Sequence, residues 1–393
     1  MLMVTRIVNM SKEIPINRHK MSEQVLSWQK FDNKILLKEI SYSNYASDSL
    51  AIKEAVSNAN FEPIIASFKI VVENKEKNSV VIDVTSLYKN DIKSFGYPQF
   101  SRKRNKITAL DSKLSFIESI RSFPMNIEAK HIKTYKSSEA KNGQISMVLN
   151  NSMILLPKVP MKRRYYDERV GWFTTSQTDY GIDNQEAETI RYLDRWRLEI
   201  KDEDIEKFKN GELVEPKKPI VYYVDRATPK KWRKYLKQGI EDWQAAFESA
   251  GFKNAIIAKD PPTNEEDPEW SPEDIRYSVV RYLASPIPNA NGPHVSDPRS
   301  GEIIESDINW YHNVMKLLRN WYFIQTSAVD PNARGIEFKD ELMGELIRFV
   351  SAHEVGHTLG LPHNMGSSSA FPVDSLRSVT FTKKYGTAPS VMD

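Results

Sequence analysis

The chain has 393 residues, 40% of them hydrophobic and 27% charged, with a formal net charge of +3 and no cysteine. That length exceeds one ordinary core and points to two or three domains of a globular, not disordered, protein. The mild and well-mixed charge gives no case for nucleic acid as a partner. The lack of cysteine excludes disulfides, zinc-thiolate sites and cysteine nucleophiles.

Residues 1–165 read as a β-rich domain. Short runs with strand composition recur at Ile35–Leu37, Ile64–Val72, Ser79–Val84, Gln144–Leu149 and Met153–Leu156, separated by Asn/Lys/Ser/Gly turns. Ile64–Val72 and the VVIDV after ENKEKNS form a predicted hairpin, and Asp48–Asn58 is the one short helix expected there. No apolar run reaches the roughly 18–20 residues of a membrane span. The first twenty residues lack the apolar core and cleavage site of a signal peptide. A basic, aromatic stretch, Pro160–Phe173, opens a polar connector over 166–216. The plain reading is a solvated link, and the other is a segment that docks on the C-terminal half of the chain.

From residue 217 the pattern alternates between strands and helices. Lys218–Asp225 is a buried-strand run. Thr228 is placed to cap a helix that has Pro229 at its first position and runs to about Ser249. Trp232, Leu236, Ile240, Trp243 and Phe247 form its apolar stripe, and Gly251 ends it. Strands are expected at Asn254–Ala258 and Ile275–Ala284, around a loop at Pro261–Asp274, then a hairpin over Gly292–Ile308 turning at Pro298–Gly301. A long final helix starts at Asp340 as N-cap, with a Leu342/Leu346/Val350 stripe, and ends at Gly360.

The final helix carries the chemistry. His353 and His357 are four apart, so their imidazoles share one helix face, a spacing that suits two nitrogen ligands of one tetrahedral zinc. Glu354 follows the first of them and can stand beside a metal without ligating it, where it would take a proton from activated water. Gly360 and Pro362 stop the helix and let His363 return as a third ligand, leaving one position open. A bare HExxH arises by chance in roughly one chain in a hundred of this length, and the added Gly and His lower that by about a thousandfold. His131, His294 and His312 lie outside the motif and read as packed or surface residues.

HEVGHTLGLPH resembles the HExxHxxGxxH signature of the metzincin clan of zinc peptidases, and SVMD at Ser390–Asp393 resembles that clan's Met-turn. Met392 stands 29 positions after His363, and SGEIIESDINW is similar to the strand before the active-site helix in matrixin-type members. The wider chain, with KRRYYDERVGWF, resembles a bacterial family of multidomain zinc-dependent metalloproteases whose N-terminal domains have no known function. The resemblance implies an α+β architecture: a β-rich N-terminal domain, then a metzincin-like zincin domain at 217–393, a twisted mixed sheet with a long active-site helix. It implies Zn2+ held by His353, His357 and His363, Glu354 as general base, Gly360 and Met392 as structural supports, and a peptide or protein substrate. The substrate strand would lie along an edge for which His294, Val295 and Ser296 are the candidates.

Peptide hydrolysis by an endopeptidase is the first expectation. A zinc amidase on a non-protein substrate and a zinc-binding envelope scaffold without turnover are the alternatives, and the intact Glu354 speaks against the scaffold. The resemblance also implies an exported protein, periplasmic, cell-surface or secreted. It leads further to the expectation that the chain is a portion of a longer one, cut just after the Met-turn and short of a tyrosine two positions past the methionine.

Overall fold

The computed structural model describes residues 1–11 and 19–393. Its contacts divide the chain into two compact units, Met1–Val159 with Ser176–Ile190 and Glu273–Ile275, and Pro160–Thr175 with Arg191–Pro272 and Arg276–Asp393. The stretch read as a connector, 166–216, is thus shared, and its parts 166–175 and 191–216 fold with the second unit.

The first unit is built on one large antiparallel sheet. Its strands are β1 (Leu2–Met10), β2 (His19–Phe31), β3 (Lys34–Ile40), β4 (Ile64–Asn74), β5 (Ser79–Ile82), β6 (Ile107–Leu110), β7 (Phe116–Ser122), β8 (Asn126–Ser137) and β9 (Gln144–Ile154). They run in the order β5-β4-β3-β2-β1-β9-β8-β6, with β7 also paired to β8. The hairpin expected from Ile64–Val72 and the VVIDV run is present as β4 and β5, the second ending at Ile82. The helix expected at Asp48–Asn58 is α1, Ile52–Ala59.

β1, β2, β6, β7 and β8 were not anticipated. β1 lies between β2 and β9 at the middle of the sheet, with Leu2 opposite Ile154. Its first six residues are all buried, so it shows none of the alternation that marks a one-sided strand. Two apolar clusters fill this unit, one around Leu37, Phe68 and Met153, the other around Ile7, Tyr135 and Leu149.

In the second unit, β10 (Ile220–Val224), β11 (Ile256–Lys259), β12 (Ser278–Leu283), β13 (Ala290–Asn291) and β16 (Ile308–Tyr311) form a sheet ordered β11-β10-β12-β16-β13. All its pairs are parallel except the edge pair β13–β16. β14 (Val295–Asp297) and β15 (Glu302–Glu305) pair separately as the expected hairpin, and Gly301 at its turn has φ 72°. α2 (Lys230–Glu241) and the long α5 (Asp340–Leu359) pack on the sheet around Tyr222, Trp310, Leu236, Ile240, Ile347 and Val355.

Several helix details differ from expectation. Thr228 caps nothing; Pro229 takes the N-cap place and the buried Thr228 hydroxyl has no partner among the described residues. The single helix expected to Ser249 is interrupted at Asp242–Trp243 and resumes as α3, Gln244–Ser249. The break falls where the Trp243 indole N–H donates to Ala352 O of α5, at 2.8 Å, and the Asp242 carboxylate meets Arg348. Lys339, not Asp340, is the N-cap of α5; Asp340 lies in its first turn, where a carboxylate favours the helix dipole. The buried stripe of α5 is Met343, Ile347 and Val350, one position out of phase with the expected Leu342 and Leu346. A further helix, α4 (Val314–Thr326), was missed; only Val314 and Leu318 on it are buried, too few for a readable stripe.

α2 and α5 touch through glycine. A Cβ on Gly239 would lie 2.4 Å from Arg348 O, and one on Gly344 would lie 2.1 Å from the Tyr235 ring. These bare backbones let α5 lie close against α2.

Candidate metal centre

α5 ends at Gly360, which has φ 109° and takes the left-handed cap position. Glycine is required there twice over. The positive φ disfavours other residues, and a Cβ would meet Trp172 Nε1 at 2.3 Å and Asp194 O at 2.4 Å. The reversal brings His363 back to the helix. His353 Nε2 and His357 Nε2 each lie 3.2 Å from His363 Nε2. The three residues offer ligand atoms within 4.8 Å of one another, the one such cluster among the described residues.

The donor set fits a zinc ion. Metal–nitrogen bonds of about 2.0–2.1 Å in a tetrahedron put neighbouring nitrogens about 3.3 Å apart, close to the separations here. The protonation pattern agrees. His353 Nδ1 lies 2.7 Å from Val391 O and His357 Nδ1 lies 2.8 Å from Leu361 O. A carbonyl only accepts, so each Nδ1 carries the proton and each Nε2 presents a bare lone pair to the cluster. Lone pairs converging without enough protons between them call for a cation. Burial also holds both imidazoles below their ordinary range, which keeps them neutral and able to ligate.

Glu354 sits on the same turn and is buried. Its Oε2 has no hydrogen-bond partner among the described residues, and burial raises its carboxyl to about 7. A dication within reach would draw that value down. Beneath the helix, the Met392 thioether lies so close to Gly356 that a Cβ there would be 2.3 Å from its sulfur. The turn bearing Met392 is tied on by the Asn364 N–H to Met392 O bond of 2.7 Å and by the Val391 carbonyl that holds His353.

Residues far off in sequence complete the surroundings. The Trp196 indole donates to Thr358 O at 2.9 Å, so together with Trp243 two indoles hold carbonyls of α5. Gly292 passes over the helix so closely that a Cβ would meet Glu354 O at 2.6 Å. Two residues on, His294 is paired with the buried Asp194, Nε2 to Oδ2 at 3.1 Å. Val295 is buried and Ser296 half-buried in β14, whose one strand partner is β15 among the described residues. Sequence reading missed Phe173 and Asp194, although it marked the segment ending at Phe173 as one that could dock. Phe173 N–H donates to Gly360 O at 2.7 Å, and its ring stands 6.1 Å from that of His357. His131 and His312 are not part of this cluster.

Residues 335–393 match the Met-zincin family model. That match and the three-histidine cluster together support a zinc metallopeptidase site of the zincin type. Residues 19–201 match the model of a domain of unknown function, DUF5117. No protein of curated function and no solved structure matches the chain. Among the described residues, no helix is long and apolar enough to cross a membrane.

Proposed function

We propose that the protein is a zinc-dependent endopeptidase. His353, His357 and His363 are its zinc ligands and Glu354 its general base. The observation that carries this reading is the convergence of three imidazole Nε2 atoms beside a buried carboxyl with an unpartnered oxygen, all within one helix end and its return loop. Zinc held there would polarise the scissile carbonyl and make bound water acidic.

The chain's own residues supply the rest. Glu354, beside the histidines with one carboxylate oxygen unpartnered among the described residues, takes the water proton and returns it to the leaving nitrogen. The Val391 and Leu361 carbonyls hold the ligand imidazoles in the tautomer that ligates. Gly360 shapes the return to His363, and Met392 supports the helix from beneath. The peptide is proposed to lie along His294–Ser296, next to the Gly292 crossing of the metal helix. Action outside the cytoplasm belongs to the same proposal and rests on the family resemblance.

The test is hydrolysis of an unfolded protein and a peptide library by the zinc-loaded protein, with and without chelator. Chelator-sensitive internal cleavage that falls by roughly 10²–10⁴ in Glu354→Gln, with zinc content kept, is the expected result. Cleavage that persists in Glu354→Gln, or loss of zinc from it, would overturn the assignment.

A further inference from the structure

We propose that Phe173 is a positioning residue for the metal ligand His357, which makes the Trp172–Thr175 segment a working part of the site although it lies some 180 residues away in sequence. This inference rests on the metallopeptidase reading and goes beyond it, because neither the histidine motif nor the Met-zincin match at 335–393 includes this segment.

Phe173 is pinned on both sides of its backbone. Its N–H donates to Gly360 O at 2.7 Å, and its carbonyl accepts from Asp194 N–H at 2.9 Å. Beside it, the Trp172 indole donates to Asp194 O at 2.6 Å. The Asp194 side chain closes the arrangement, accepting from the Thr175 hydroxyl at 2.6 Å and pairing with His294. The Phe173 backbone is thereby fixed, and its ring stands 6.1 Å from His357 and 5.7 Å from His294, tilted 39° and 42° to them.

Phe173 reaches His357 by two routes. One is direct. The hydrogen bond from His357 Nδ1 to Leu361 O fixes the tautomer and one end of the ring, and the rings of His353 and His363 stand 4.8 Å and 4.9 Å from it. The Phe173 ring, 6.1 Å away and tilted 39°, further limits the tilt of His357. The other route is through the backbone. The Gly360 carbonyl that Phe173 holds belongs to the peptide leading into Leu361, whose own carbonyl is the His357 acceptor. Moving Phe173 would loosen both. Groups that orient a ligating histidine in this way are worth about 10–100-fold in metal affinity when removed.

The test compares Phe173→Ala, Phe173→Leu and Phe173→Tyr with wild type and a His357→Ala control. Three measurements are made: zinc affinity by competition with a chromophoric chelator, the visible spectrum of the Co2+-loaded protein, and the melting temperature of the metal-free protein. Phe173→Ala is expected to weaken zinc by about 10–100-fold and to shift the Co2+ bands. Phe173→Tyr should restore both, and Phe173→Leu, which fills volume without a ring, should not restore the spectrum. If the alanine variant does not fold, the leucine variant carries the comparison alone. Unchanged affinity and spectrum in Phe173→Ala, or recovery with Leu as complete as with Tyr, would overturn the inference while leaving the metallopeptidase reading intact. A wild type that takes up no more zinc than His357→Ala would overturn both.

Discussion

Glu354→Gln in the metal-free protein isolates what it costs the fold to keep this carboxyl buried beside the histidines. Burial raises the Glu354 carboxyl from its ordinary 4.5 to about 7. Each pH unit by which a group's titration is displaced corresponds to about 1.4 kcal/mol, so ionising Glu354 in the folded state costs about 3 kcal/mol. The sign follows from linkage. The folded protein holds this proton to higher pH than the unfolded chain, so the favourable contribution is complete below about pH 4.5. It drains away as pH rises and is gone above about pH 7. Glutamine never ionises and escapes that loss, though its amide, like the unpartnered Oε2, would lack a partner, a cost that does not vary with pH. His353 and His357, held low by burial, act in the opposite sense as pH falls, but they are present in both proteins and cancel in the difference. Urea unfolding with chelator present, followed by tryptophan fluorescence, should therefore show the Gln variant gaining up to about 3 kcal/mol on wild type between pH 5 and pH 8. With zinc bound the gain should shrink, because the cation stabilises the carboxylate. A difference that stays flat across that range would refute the reasoning.

Other expectations arise from the same contacts. His357→Ala should lose the bound zinc by elemental analysis while the sheet spectrum by circular dichroism is unchanged. Gly360→Ala should destabilise by about 1–3 kcal/mol in chemical denaturation and weaken zinc, since it strains a positive φ and drives a methyl into Trp172 and Asp194. Gly239→Ala should cost about 1–3 kcal/mol by separating α2 from α5. Asp307→Ala should be among the more damaging single changes, about 3–5 kcal/mol, because it removes a carboxylate that the buried Arg281 guanidinium meets and the acceptor of Val279 N–H.

The three-histidine cluster was legible because its geometry is local. A four-residue spacing on a helix, followed by a glycine stop and a histidine three residues on, specifies the meeting of side chains before any fold is known. The groups that surround those histidines were not. Val391, Phe173, Asp194 and Gly292 reach the helix through long-range packing, and a single carbonyl, ring or bare Cα leaves no periodic mark in a sequence. The hairpin strands β4 and β5 could be read from β-branched runs on either side of a polar turn, whereas β1, buried through its first six residues, carries no alternation. Caps were misplaced by one residue at both Thr228 and Asp340, where proline and lysine occupy the cap positions without using a side chain.

The central place of β1 bears on how the chain is made. One of its two neighbours, β2, comes within a few residues, but the other is β9, and Leu2 must wait for Ile154. At roughly 5–20 residues per second of synthesis, that partner emerges some ten to thirty seconds later. During that interval a wholly apolar run, LMV, has one sheet edge unfilled. Closing a loop of this length is also slow. The first unit is thus expected to mature after translation has passed β9 and to need protection from edge-to-edge aggregation until then, independently of anything that happens at the metal site.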